Sequence, residues 1–139
     1  MSAARRKKLK RFVLDTNVWI SYAINGELEW LAHYVVQNRL LIYTSPLLLA
    51  EIKKVFQYAR VKKLLSASAA SYMNVMTAIA LLKEDLPVKI NSPDPDDDYV
   101  FELAISNNVK AIVCGDKPLL NWEASPIKVI SKKEFEMLY

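Results

Sequence analysis

The sequence predicts an α/β fold: a three-layer sandwich with a central, mostly parallel sheet of about five strands and helices on both faces. Short, nearly continuous apolar runs recur at residues 12–14, 40–43, 111–114 and 127–130, as expected of strands buried on both faces. Segments with apolar residues at helical spacing separate them. Acids follow two of these runs closely, at Asp15 and Asp116.

Residues 12–14 read as the first strand, ended by Asp15 and handing over through Thr16 and Asn17 to a brief helix that Asn25-Gly26 stops. Leu28, Leu31, Val35 and Val36 mark a second helix. Residues 40–43 are the second strand. Thr44-Ser45-Pro46 then opens a helix, with Ser45 at the N-cap and Pro46 in the first turn. That helix carries Leu47, Leu48, Glu51 and Val55 and ends near Tyr58.

A further helix is expected over 66–83, and a third strand over 87–90, shortened by its proline. Residues 91–95 form a rigid connection into a helix over 96–106. The fourth strand is 111–114, from which Gly115-Asp116 turns out, and the fifth is 127–130. Ser131, with Glu134 three residues on, is a capping box for the last helix.

With 139 residues, 53% of them hydrophobic, the chain has room for one domain. Its organisation reads as a basic arm, 1–10, followed by a single domain, 11–139. Gly26 and Gly115 are the only glycines. They cannot supply a dinucleotide-binding turn, a phosphate-binding loop or a G-x-S-x-G elbow. One cysteine, Cys114, and one histidine, His33, cannot build a Cys/His zinc site or an internal disulfide.

Arg5, Arg6, Lys7, Lys8, Lys10 and Arg11 supply six positive charges before the first acid. Subtracting those six from the formal +4 leaves −2 over residues 12–139. An arm of this kind can track a phosphate backbone or simply remain solvated. It lacks the apolar core of a secretory signal, and a lone thiol suits a reducing cytoplasm. The uncharged stretch 64–82 has Ser66, Ser68, Ser71, Asn74 and Thr77 opposite Leu65, Tyr72, Met76 and Ile79. That is an amphipathic helix, with no span of a membrane implied.

Ligands of open α/β sheets bind beyond the carboxyl ends of the strands, at the switch point of the winding. Asp15, Asp116 and the Asp96-Asp97-Asp98 run fall there, and Glu51 can reach back from the helix after strand two. Helix capping accounts for one or two acids near Asp94-Pro95. It does not account for Asp15 and Asp116, which abut buried strands where a solitary charge is costly. Two carboxylates about 4 Å apart repel by about 4 kcal/mol at an effective dielectric near 20. The cluster therefore needs a compensating cation, either Lys/Arg or a divalent metal, and as a metal site its oxygen-only ligands open to water suit Mg2+ or Mn2+. Such a site fits metal-assisted attack on a phosphodiester.

Two rival readings fail on detail. As a calcium loop, Asp94, Asp96 and Asp98 have the right spacing, but Tyr99 replaces the glycine and Ile105 the final glutamate. A haloacid-dehalogenase-like phosphatase would use Asp15 as nucleophile, yet Asn17 stands where its second acid belongs.

The ordered segments RFVLDTNVWIS, TSPLLLAEIKKVF, SPDPDDDYVFELAISNN, KAIVCGDKPLL and IKVISKKEF resemble the PIN-domain ribonucleases, in the branch of bacterial toxin–antitoxin toxins (VapC-like). The resemblance spans roughly Arg11 to Tyr139. It implies a doubly wound domain that cleaves RNA with magnesium or manganese. Asp15, Glu51, Asp97 and Asp116 then match the four acids, catalytic and metal-holding, with Asp96 and Asp98 able to substitute or assist. Asn17 and Ser21 look like polar supports of the first acid.

Cys114 stands where Thr or Ser is common in that family, and Pro118 replaces the second acid of a frequent GD-x-D pattern. Lys117 and the arm residues Arg5, Arg6, Lys7 and Lys8, with Lys53, Lys54, Lys62 and Lys63, are the candidates for contacting the RNA backbone. The resemblance also implies a homodimer or higher oligomer and a protein antitoxin. Open beside it are a catalytically silent RNA- or partner-binding module and a nuclease acting on DNA.

Overall fold

The computed structural model describes residues 9–139. The arm residues Arg5, Arg6, Lys7 and Lys8 therefore lie outside the described residues. The sheet has five parallel strands: β1 (Lys10–Leu14), β2 (Leu40–Thr44), β3 (Ala80–Leu82), β4 (Ala111–Val113) and β5 (Val129–Ile130). Their order is β3-β2-β1-β4-β5. The winding thus runs outward from β1 in one direction through β2 and β3, then returns to β1's other side for β4 and β5. The switch point lies between the carboxyl ends of β1 and β4.

The helices follow in the chain: α1 (Thr16–Ile24), α2 (Leu28–Gln37), α3 (Pro46–Phe56), α4 (Ala59–Lys62), α5 (Ala69–Ile79), α6 (Asp98–Ser106), α7 (Lys117–Leu120) and α8 (Lys132–Glu136). Right-handed crossovers place α1 to α5 over one face and α6 and α7 over the other. Phe101 of α6 meets Trp122, just beyond α7, edge-on at 5.3 Å. The last helix, α8, joins the first layer: Phe135 packs edge-on against Phe12 of β1 at 5.1 Å and Tyr34 of α2 at 5.4 Å. The core that these layers enclose includes Phe12, Leu14, Ile42, Leu48, Ile52, Phe56 and Phe101.

Local chemistry explains most boundaries. Ser45 accepts the Leu48 N–H and Pro46 fills the first turn, which starts α3 directly at the end of β2. The Ser131–Glu134 capping box is formed in full. Gly26, at φ +69°, closes α1 in the left-handed conformation that only glycine adopts freely. Arg39, at φ 55°, takes the equivalent position after α2 at a steric cost.

The third strand differs from expectation. Residues 66–83 are not one helix: α5 occupies only Ala69–Ile79, with Ser68 as its cap, and Ala80–Leu82 form β3. Ala80, Leu81 and Leu82 pair with Ile42, Tyr43 and Thr44, and the Lys83 N–H adds a bond to the Thr44 carbonyl at 2.8 Å. Pairing with β2 overrides the helical periodicity there. Residues 87–90 lie outside the sheet; Pro87 has no N–H to give, and Lys89 donates its own to Glu102 at 2.7 Å. The four-residue helices α4 and α7 are too short to show helical periodicity in the sequence. Val36, expected on the core face of α2, is exposed. Among the described residues, no helix is long and apolar enough to cross a membrane.

Candidate metal centre at the carboxyl edge

Each acid is delivered by a strand end or by the helix start that follows one. Asp15 is the N-cap of α1; its Oδ1 accepts the Thr16 N–H at 2.7 Å, and its own N–H donates to the Val113 carbonyl at 2.9 Å. Asp116 caps α7 with its backbone carbonyl, which receives the Leu119 and Leu120 N–H groups, and its side chain makes no cap hydrogen bond. Glu51 stands on α3, half-buried. Asp94 caps, and Asp97 ends, a 3-10 turn, Pro95–Asp97, that precedes α6.

These residues converge. An open cavity of about 560 Å3 is lined by Asp15, Glu51, Asp94, Asp96, Asp97 and Asp116, together with Thr16, Asn17, Val55 and Gly115. Carboxylate oxygens of Asp94, Asp97 and Asp116 lie within 4.8 Å of one another. No lysine or arginine among the described residues lines the cavity, and none of their ion pairs involves these acids.

The electrostatic strain shows in the protonation of the acids. Burial pushes the Asp15 carboxyl up to about 6, and the charges of Asp116 and Asp94 add to the shift. Asp97 is pushed up to about 8, by burial first and then by Asp15 and Asp94. Cys114, sealed behind the site, is pushed up to about 12 by burial and stays a thiol. Its sulfur accepts the Asp116 N–H at 3.2 Å. An oxygen-rich cluster with no internal counter-charge fits a divalent hard cation: Asp94, Asp97 and Asp116 are placed to hold it, with Asp15 and Glu51 beside them.

Of the residues singled out from sequence, Asp15, Glu51, Asp97, Asp116, Asp96 and Asn17 share the cavity. Asp98 does not line it: the residue is buried, and its Oδ1 accepts the Ser92 N–H at 3.0 Å. Ser21 is also outside, its hydroxyl accepting from Asn25 Nδ2 at 3.3 Å. Lys117 is exposed beside the cavity without lining it. Asp94 is the cluster member that sequence reasoning left out of the site, capping accounting for one or two acids of its run. It does cap, accepting the Asp96 N–H at 3.3 Å, yet it also faces Asp97 and Asp116. The signal was its three-residue spacing from Asp97, which puts both on one side of a helical turn.

Fold and site together define an α/β protein whose switch point carries an acidic, cation-seeking pocket. The chain belongs to the PIN domain family, whose model matches residues 11–118. Among solved structures, it is similar to PAE2754 from Pyrobaculum aerophilum at 17% identity and a TM-score of 0.61, covering 92% of this chain and 95% of that one. It is similar also to a chain of VapBC2 from Rickettsia felis, crystallised bound to a DNA fragment from their promoter. There the identity is 17% and the TM-score 0.55, over 87% of this chain and 98% of that one. At that identity these two likenesses concern the fold. No curated protein matches by sequence.

Proposed function

We propose that this protein is a divalent-metal-dependent endoribonuclease, a phosphodiester hydrolase that acts on RNA as the cytoplasmic toxin of a toxin–antitoxin pair. The observation that carries the reading is the meeting of Asp94, Asp97 and Asp116 within 4.8 Å, beside Asp15 and Glu51, in a cavity lined by no cation of the described residues. Membership of the PIN family supports nuclease chemistry.

In this reading Asp15, Asp94, Asp97 and Asp116 hold Mg2+ or Mn2+, which when bound neutralises phosphate charge and acidifies a water. Glu51 orients that water. Asp96, exposed at the rim, adds negative potential and Asn17 an amide within reach of substrate. Lys53 and Lys54 on α3, Lys62 on α4 and Lys63 just after it are exposed, and with Lys117 they attract the RNA backbone; the arm residues are assigned the same task. Residues 11–139 act as one nuclease domain.

The likeness to a VapBC2 chain supports a protein antitoxin as partner. An apolar groove of about 470 Å3 between α2 and α5, lined by Leu28, Ala32, Tyr72 and Val75, supports association with another chain, antitoxin or second copy.

The test is cleavage of single-stranded RNA with Mg2+ or Mn2+, with and without chelator, for the wild type and Asp15→Asn. Metal-dependent cleavage that the substitution abolishes supports the reading. RNA retained but uncut at every metal concentration would instead make the protein a binding module. Preference for DNA over RNA would reassign the substrate.

A further inference from the structure

The charges of this protein are sorted by the ends of its strands. All five strands are parallel, so their amino ends share one edge of the sheet, and the acid pocket lies at the other. Four neighbouring strands begin on a cation or directly after one. Lys10 and Arg11 open β1, while Arg39, Lys110 and Lys128 immediately precede β2, β4 and β5. Their backbones adjoin: the Lys10 N–H donates to the Arg39 carbonyl at 3.2 Å, the Lys110 N–H to the Arg11 carbonyl at 2.7 Å, and the Ile112 N–H to the Lys128 carbonyl at 2.9 Å. With neighbouring strands about 4.8 Å apart, the cations form a row about 14 Å long. The length of β1 holds that row about 17 Å from Asp15.

Arg11, Arg39, Lys110 and Lys128 are exposed, and none of the five cations has an ion pair among the described residues. The segments that lead into these strands, 37–39, 107–110 and 121–128, hold a single acid, Glu123. Residues 1–8 hold none and place further arginines and lysines directly before the row. A helix C-terminus favours a cation, which accounts for Arg39 after α2 and Lys110 after α6. It does not account for Lys10, Arg11 or Lys128, which follow no helix end closely. Nor does it explain why position 39, at φ 55°, carries a charge at a steric cost where glycine would be unstrained.

Uncompensated cations in line match a ligand whose negative charges also lie in line. A nucleic-acid strand is such a ligand, with a phosphate about every 3.4 Å of its axis. A flat lipid surface would instead call for cations spread over a face. We propose that the amino edge of the sheet is a nucleic-acid-binding surface, on which Lys10, Arg11, Arg39, Lys110 and Lys128 hold the phosphate backbone of RNA or DNA away from the acid pocket. The surface goes beyond the nuclease reading, since it requires neither the metal nor the acids. Phosphate contacts carry no sequence information, so it positions a strand without reading bases.

The experiment measures fluorescence anisotropy of a labelled single-stranded RNA, and of DNA of the same sequence, with the full chain in chelator over a range of salt. Wild type is compared with a variant carrying Arg11→Gln, Arg39→Gln, Lys110→Gln and Lys128→Gln, and the Tm of each is recorded. The variant is expected to bind at least about tenfold more weakly, with the slope of log affinity against log salt reduced by about 3, because each lost phosphate contact removes about 0.7. Should the four changes together lower the Tm, single Arg11→Gln and Lys128→Gln carry the same test, each reducing the slope by about 0.7. Binding of either nucleic acid with that loss supports the proposal, and the ratio of the two affinities identifies the preferred backbone. No binding by wild type, or equal affinity and slope in the variants, overturns it. Wild type that sediments with phosphatidylserine vesicles and leaves both nucleic acids free assigns the row to a lipid surface and overturns it too. The nuclease reading is judged separately, by cleavage in Mn2+.

Discussion

The backbone N–H of Asp15 donates to the carbonyl of Val113 at 2.9 Å. This bond extends the parallel pairing of β1 with β4, in which Leu14 lies opposite Val113. It brings Asp15 out of the sheet beside the strand end from which Asp116 emerges. Two acids far apart in sequence are thus set side by side by backbone hydrogen bonds and core packing, whatever their own charges prefer. Their repulsion is overcome by the fold and remains available to bind a cation.

Replacing Asp15 with Asn separates fold from chemistry. The amide oxygen can still accept the Thr16 N–H, and a buried negative charge disappears. The expected outcome is a folded protein whose metal-dependent RNA cleavage falls at least about a hundredfold. Circular dichroism and a cleavage assay read the two effects independently.

The metal-free protein should lose stability as pH rises. Asp15 binds its proton up to about pH 6 and Asp97 up to about pH 8, against an ordinary value of 3.8. Between those limits the folded state holds protons that the unfolded chain has released, so the slope of stability with pH is negative. For Asp15 alone the loss is about 3 kcal/mol once ionisation is complete. Thermal melts in chelator at about pH 5 and about pH 8 check the sign: the Tm contribution of these groups is larger at the acid end.

Asp94 and Asp98 should behave oppositely, although four residues apart. Asp94→Asn removes a carboxylate from the cluster and is expected to weaken Mn2+ binding about tenfold or more, with little change in Tm. Asp98→Ala removes the acceptor of the Ser92 N–H and is expected to cost about 1–2 kcal/mol of stability. Calorimetry and melting, applied to both variants, distinguish ligand from brace.

Arg39 holds φ 55° after α2, where glycine is the natural occupant. Arg39→Gly should therefore stabilise the protein by about 1 kcal/mol, relief of left-handed strain outweighing the added chain entropy. Urea unfolding gives the value directly.

Much of this was legible in the sequence for identifiable reasons. Strands such as residues 12–14 and 111–114 are apolar on both faces, and the signals at Ser45-Pro46 and Ser131–Glu134 are local capping chemistry, formed as read. The third strand was not legible. Ala80-Leu81-Leu82 carries no β-branched residue, follows a helix in phase with it, and becomes a strand only by pairing with β2.

The site divides in the same way. Asp15 and Asp116 betray themselves as charges at the ends of buried strands. Asp94 serves as a cap as well as a cluster member, so its local role concealed the other.

The most direct test of the central claim is a calorimetric titration of Mn2+ into the metal-free protein near neutral pH, repeated in buffers of different ionisation heat and with Asp97→Asn. Saturable binding that releases protons, and that the substitution weakens at least about tenfold, is the predicted result. No saturable binding, or binding of equal strength in the variant, would contradict a metal centre at this pocket.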